Sequence, residues 1–259
     1  MNYADLIVQK KNKVGIISIN RPKFLNSLSM TTMDEIISAF KEMDADPEIN
    51  VVIFKGEGRA FCTGHNLDDL RGKERTEEAR VFRKPSEIIR TIQGMRKPVI
   101  ASIQGYALAV GFGLIGACDI IIAAEKTRVQ CPGANFGIVC GTPDLGIYRS
   151  LPRKKVLELN FTAEMVDIGS LEQFGFVNKI VPADQLEAAT MAMAEKIANN
   201  APLAVQSAKQ LFYTLDGIDH AQTGNMVADI MAANADTEDA KEAVVALIEK
   251  RAHKPFIGK

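Results

Sequence analysis

Apolar residues recur along this chain in two rhythms, and the balance between them shifts near Pro182. Before that point, short apolar runs alternate with longer stretches of helical period. Leu6-Ile-Val8 and Val14-Gly-Ile-Ile-Ser-Ile19 predict two strands joined by the polar turn Lys10–Lys13, and Asn20-Arg-Pro22 ends the second. Thr31–Met43 carries Met33, Ile36, Ile37 and Phe40 on one stripe, which predicts a helix that Asp46-Pro47 stops. Val51-Val-Ile-Phe54 predicts a buried strand, followed by Gly56 and Gly58. Asp68–Arg83 is charge-rich and reads as an exposed helix or mobile loop; Lys84–Met95 is helical again and closes at Lys97-Pro98. Val99–Ile103 and Ile120–Ala124 are unbroken apolar runs, as expected of strands covered on both faces.

This alternation predicts an α/β core with right-handed crossovers. After Pro182 four helical segments follow with little strand between them: Gln185–Ala198, Leu203–Leu215, Ala221–Ala233 and Asp239–Ala252. The division expected is a core over 1–195 and a helical region over 196–259. That region serves either as an oligomerisation element or as a cap on its own core.

Composition narrows the function classes. A chain of 259 residues with 47% hydrophobic content can bury a large core, and a net charge of −1 gives no reason to expect nucleic acid or an anionic membrane. No apolar run approaches the ~20 residues that span a bilayer. Met1-Asn-Tyr-Ala-Asp5 lacks the basic and apolar regions of a secretory signal, so a cytoplasmic protein is expected. Cys62, Cys118, Cys131 and Cys140 are scattered, and His65, His220 and His253 lie far apart, which disfavours a metal site of ordinary spacing.

Two segments carry candidate chemistry. Arg59-Ala-Phe-Cys-Thr-Gly-His-Asn-Leu-Asp-Asp-Leu70 and Gly105-Tyr-Ala-Leu-Ala-Val-Gly-Phe-Gly-Leu-Ile-Gly-Ala-Cys-Asp119 each read as a strand end passing through Gly into a helix start. Such termini aim unpaired backbone N–H groups outward. Two of them facing one point would form an oxyanion hole, which stabilises a thioester enolate or a tetrahedral anion. The second segment also contains Gly111-Phe-Gly-Leu-Ile-Gly116, a literal G-x-G-x-x-G. A dinucleotide fingerprint should follow a strand directly and precede an acidic residue by about 20 positions. Here six residues separate Gln104 from Gly111, and Glu125 comes 14 later. An NAD-dependent dehydrogenase is therefore a distant alternative, and close helix packing explains Gly113 and Gly116 better.

An ordered set of landmarks spans nearly the whole chain: Asn20-Arg-Pro22 with Leu25-Asn-Ser-Leu28, Gly58-Arg-Ala-Phe-Cys-Thr-Gly64, Lys97-Pro-Val-Ile-Ala101, Gly105-Tyr-Ala107, Ala117-Cys-Asp119 and Phe174-Gly-Phe-Val-Asn-Lys-Ile-Val-Pro182. Together they resemble the enoyl-CoA hydratase/isomerase (crotonase) family. The resemblance implies a β/β/α spiral core with a C-terminal helical trimerisation region, assembled as a homotrimer or homohexamer. It implies an acyl-CoA thioester substrate, with coenzyme A as part of the substrate and no separate cofactor. It places the two oxyanion donors on the backbone N–H groups of His65 and Val110, flanked by Gly64 and Gly111. The adenine and phosphates would lie near Lys23, Phe24 and Leu25, with Ala60 beside the pantetheine and Lys254 or Lys259 reaching a phosphate.

The same resemblance marks a departure. Hydratases of the family carry one catalytic Glu at the position of Gly113 and a second at Gly133, and some isomerases carry one at Gly141. Glycine can neither hold nor position a proton, so two-carboxylate addition of water is not expected. Ile138-Val-Cys-Gly-Thr-Pro-Asp-Leu-Gly146 most resembles one subgroup, whose chemistry the family name does not settle. Asp144 is the first candidate for a replacement base, followed by Asp68, Asp69 and the His65 imidazole, with Tyr148 and Cys140 behind them. A non-catalytic or regulatory acyl-CoA-binding protein is the alternative that loss of both carboxylates favours.

Overall fold

The computed structural model describes residues 3–217 and 223–259. The hairpin pairs β1 (Leu6–Lys11) antiparallel with β2 (Val14–Ile19). Its turn is made at Asn12, whose φ of 54° is left-handed and suited to Asn. From β2 the sheet continues in parallel through β3 (Val51–Gly56), β4 (Val99–Ile103), β6 (Ile120–Ala124) and β9 (Lys179–Val181), in the order β1-β2-β3-β4-β6-β9. A second sheet holds β5 (Tyr106–Leu108), β7 (Arg128–Gln130) and β8 (Val166–Asp167) in that order.

Helices cover both faces of the large sheet, which is why its central strands read as largely apolar runs. Successive side chains alternate in direction. Val51, Ile53, Ile100 and Ile122 join one buried cluster with α6 (Leu186–Ala198). Val52, Phe54, Ala101 and Ile121 join another with α1 (Met30–Ala45), α2 (Arg75–Gly94) and α3 (Val110–Ala117). There the rings of Phe40, Phe54 and Phe61 stack edge to face at 5.1 and 5.3 Å. Ser29 caps α1 by accepting the Thr32 N–H at 3.1 Å.

One expectation is corrected here. From Arg75 on, the charged stretch before Lys84 and the helix after it are a single helix, α2, which runs through Pro85, while the start of that stretch is a turn of 3₁₀ helix at Leu67–Asp69. Proline removes one rung of the helical ladder at about 3 kcal/mol. Burial offsets that cost: Val81, Pro85, Ile88, Ile89 and Ile92 form one continuous buried stripe against the core. The remaining helices are α4 (Gly141–Ile147), α5 (Arg153–Thr162), α7 (Pro202–Leu215), α8 (Thr223–Ala235) and α9 (Glu238–Ile248). The expected helix over 221–233 begins outside the described residues, as does His220; its described part starts at Thr223.

The 195/196 boundary falls within α6, where Ala194 and Ala198 share one buried cluster with the sheet. Beyond it, α7 is fastened by Lys209. Its ammonium donates to Ile92 O at 2.8 Å, Lys97 O at 3.1 Å and Asp119 Oδ2 at 2.7 Å, and Tyr213 donates to Asp119 Oδ1 at 3.0 Å. Among the described residues, no helix is long and apolar enough to cross a membrane.

Candidate active site

A buried amide assembles the first wall of the site. Asn26, in a left-handed conformation, donates from Nδ2 to Glu57 O at 2.9 Å and Ala60 O at 2.8 Å, and accepts the Arg21 N–H at 2.8 Å. It thereby ties the turn 21–27 to the loop leaving β3. Lys23 and Phe24 stand exposed on that turn, with the Arg21 guanidinium 5.0 Å from the Phe24 ring centre; Leu25 is half-buried, and Ala60 is buried beneath. None of these four lines the cavity described below, but Ser27 and Thr63 on the same two loops do.

The next residues turn two N–H groups loose. Leu28 pairs with the segment around His65, donating to Gly64 O at 2.8 Å and accepting from Asn66 N at 2.8 Å. Neighbouring residues of an extended segment point their N–H groups to opposite sides, so the His65 N–H faces away from Leu28 and has no partner among the described residues. Val110 opens α3, where the first N–H groups have no intrahelical acceptor, and it too is unpaired there. The approach of the two segments depends on Gly64, whose φ is +102°. A Cβ there would sit 2.9 Å from Ala109 Cβ and 3.7 Å from Val110 N. Ala109 takes an unusual φ of 49°, donates to Gln130 O at 2.9 Å, and turns the chain into α3. The strand-to-helix reading thus holds for the second segment. The first passes instead into a single turn of 3₁₀ helix, Leu67–Asp69.

A cavity of about 500 Å³ opens against both donors, walled by residues from the 63–70 segment, from Leu108–Val110, from α2 through Phe82, and from the 130–143 segment. The Phe82 ring meets the His65 imidazole edge to face at 5.3 Å. Burial pushes the imidazole down to about 4, so it is neutral at pH 7, and its Nδ1 is buried without a partner. Apart from His65, the one titratable side chain among the described lining residues is Cys140. Its sulfur accepts the Gly133 N–H at 3.1 Å. The Cys131 thiol and that N–H hold Cys140 below the usual thiol range, against the opposing effect of burial, and Cys131 itself is pushed up.

The expected base is displaced. Asp144 lies on α4 one residue beyond the cavity wall formed by Thr142 and Pro143, and its carboxylate accepts from Asn160 Nδ2 on α5 at 2.7 Å. Burial raises its pKa, which the Asn160 bond partly opposes. Helical phase explains the placement, since successive residues of α4 point about 100° apart. Asp69 accepts from Met30 N at 3.0 Å at the start of α1, Asp68 pairs with Arg71 at the surface, and Tyr148 is exposed under Arg149. None of the four lines the cavity. Lys254 lies 3.9 Å from Glu242 on α9.

The three glycines at the expected carboxylate positions differ in kind. A Cβ on Gly113 would meet Pro143 Cα at 2.6 Å, because α3 and α4 pack backbone to backbone. On Gly133 it would meet Ile138 O at 2.2 Å and Cys140 Sγ at 2.8 Å. Only at Gly141 is there room, its nearest neighbour being 4.0 Å away. The G-x-G-x-x-G match lies entirely within α3, and its glycines serve close approach: Gly111 to Cys62 O, Gly113 to Pro143, Gly116 to Gly146 O. This is the geometry of packing and not of a phosphate-binding loop. Sequence reasoning missed Phe82, Gln130 and Thr142 as wall residues, and it quoted Asn26 only as part of a landmark.

The enoyl-CoA hydratase/isomerase family model matches residues 9–256. The chain belongs to this family. It is 33% identical over 237 residues to human enoyl-CoA hydratase domain-containing protein 3, mitochondrial, which spans 91% of this chain and 78% of that protein. It is 31% identical to the short-chain-enoyl-CoA hydratase of Clostridium acetobutylicum over 97% of both chains. The crystal structure of human enoyl coenzyme A hydratase domain-containing protein 3 superimposes with a TM-score of 0.93 at 30% identity, covering 96% of this chain and 99% of that one. The fold is accordingly that of the crotonase family, the β/β/α spiral expected from the landmarks, with its helical C-terminal region.

Proposed function

We propose that this family member binds an acyl-CoA thioester with its carbonyl oxygen between the His65 and Val110 N–H groups, and stabilises the enolate formed there. One observation carries the reading: two unpaired backbone donors, brought together by Gly64, stand on the wall of one largely apolar cavity. Each donor to a developing oxyanion is worth about 3 kcal/mol. The coenzyme A end lies along the turn carrying Lys23, Phe24 and Leu25, past Ala60 and Gly64, with Gly111 behind the acyl end. The substrate then supplies coenzyme A, and no separate cofactor takes part.

The favoured reaction class is proton transfer next to the thioester, as in isomerisation, and not hydration, because no Asp or Glu is among the described residues that wall the cavity. The same observation supports a second reading, a non-catalytic acyl-CoA-binding protein. Assembly as a homotrimer or homohexamer is supported by the exposed Val244, Leu247 and Ile248 of α9, which in a lone chain face water.

The test is crotonyl-CoA hydration, followed by loss of the conjugated-thioester absorbance, beside competitive acyl-CoA binding. The expected result is binding with turnover at least 100-fold below the Clostridium short-chain hydratase, and no change on Asp144→Asn. Hydration at the rate of that relative overturns the reaction class; absence of acyl-CoA binding overturns the whole reading.

A further inference from the structure

An enolate site needs a group that takes a proton from carbon, and the described residues of the cavity wall offer two candidates. The neutral His65 imidazole is a poor one, since a base whose conjugate acid dissociates near pH 4 has little driving force at pH 7. The other is Cys140. It stands at the junction of the 133–140 turn with α4, with its sulfur against Gly133, a fellow wall residue. Only glycine at 133 leaves the sulfur that place, since a Cβ would lie 2.8 Å from it. Behind it sits Cys131, fully buried at the end of β7. The two N–H donors on the wall of the same cavity, at His65 and Val110, have no partner among the described residues and offer a place for a bound oxygen atom.

We propose that Cys140 is the proton-transfer residue of this cavity, its thiolate taking a proton from the carbon beside a thioester carbonyl held at His65 and Val110. The inference rests on the acyl-CoA reading above. In the step, the Cα–H bond breaks and its electron pair forms the enolate C=C bond. The carbonyl π pair moves onto oxygen, where the two N–H groups receive it, and the proton forms an S–H bond. Return of a proton from sulfur to the same carbon regenerates the thioester; in a β,γ-unsaturated acyl thioester, return to the γ-carbon moves the double bond into conjugation. No oxidant or co-reactant enters.

The groups that set the sulfur's ionisation are Cys131, the Gly133 N–H and, in opposition, the Asp144 carboxylate on α4. Cys131 is a positioning residue: its buried thiol beside Cys140 favours the Cys140 thiolate.

The test uses butyryl-CoA, which cannot be hydrated, in deuterated buffer, with deuterium incorporation read by mass spectrometry. Wild-type protein is expected to exchange the α-hydrogens, with a rate that rises with pH and levels off below the ordinary thiol range. Cys140→Ser, which keeps an acceptor for the Gly133 N–H, should bind butyryl-CoA as wild type and exchange it at least ~100-fold more slowly. Cys131→Ala, which removes the thiol, should shift the rising limb to higher pH while retaining the plateau rate, which a merely structural role would not do. Wild-type exchange rates in Cys140→Ser, or binding by the wild type without exchange, overturns the proposal while the acyl-CoA reading stands. An acylated Cys140 with release of CoASH overturns it in favour of a nucleophile. Failure of the wild type to bind butyryl-CoA overturns both.

Discussion

Gly146→Ala probes the contact on which the cavity wall depends. A Cβ at position 146 would lie 1.8 Å from Gly113 O and 2.6 Å from Gly113 C. A carbon–oxygen contact normally stays beyond about 3.3 Å, so α3 and α4 would have to separate by roughly 1.5 Å. The neighbouring atoms are backbone and cannot rotate away. Overpacking of this kind costs about 1–3 kcal/mol and sometimes more, which exceeds the gain of up to ~1 kcal/mol from replacing glycine by alanine in a helix. At about 2–4 °C per kcal/mol for a chain of this size, a cost near 3 kcal/mol lowers Tm by roughly 6–12 °C. Gly94 provides the matched control: it ends α2, and a Cβ there would meet nothing within 4 Å. Gly94→Ala should leave Tm level or raise it slightly. Thermal unfolding followed by circular dichroism separates the two. A Gly146→Ala protein as stable as Gly94→Ala would refute the close approach of α3 and α4. It would also reopen position 113 to a carboxylate.

Two further outcomes follow from the buried charges. His65 ionises at about 4 in the folded protein against 6.5 when exposed, so on acidification the unfolded chain takes up the proton first. At about 1.4 kcal/mol per pH unit the site contributes roughly 3 kcal/mol above pH 6.5, lost as pH falls toward 4. Urea unfolding of wild type and His65→Leu should show the variant losing less stability between pH 7 and pH 4.5, and identical losses would refute the assignment. Lys209→Met leaves the Asp119 carboxylate without the ammonium 2.7 Å away and should cost about 3–5 kcal/mol. Addition of Asp119→Asn should recover part of it. A loss below ~1 kcal/mol in denaturant titration would show that α7 is held by something else.

The fold was legible wherever one residue's environment followed from its neighbours in sequence. Val99–Ile103 and Ile120–Ala124 are strands with the limits that their apolar runs predict, because layers cover both faces; the one polar residue in them, Ser102, is buried against Thr190 of α6 at 3.0 Å. The stripe Val81, Pro85, Ile88, Ile92 was equally present in the sequence, but the charge content up to Arg83 divided the stretch at Lys84, since composition says nothing of which face is buried. At the site, the glycines and the family landmarks led to His65 and Val110, two unpaired donors on one cavity. The position of Asp144 was not legible: whether it or Thr142 faces the cavity depends on the phase of a seven-residue helix set by Gly113 and Gly116 across from it. The meeting of Cys140 with Gly133 and Cys131 likewise belongs to the fold of the 131–140 turn, which carries no periodic signal.

Asn26 fastens its turn from beneath, using both amide hydrogens and its carbonyl on main-chain partners, while Pro22, Lys23 and Phe24 point outward and take no part in that fastening. The shape of the turn and the identity of its outer side chains are therefore separable. Substitutions at 23 and 24 can alter the outer surface of the turn without moving Ser27, Thr63 or the His65 N–H. A change at 26 would release both loops at once, because the turn and the loop leaving β3 hang from the same amide.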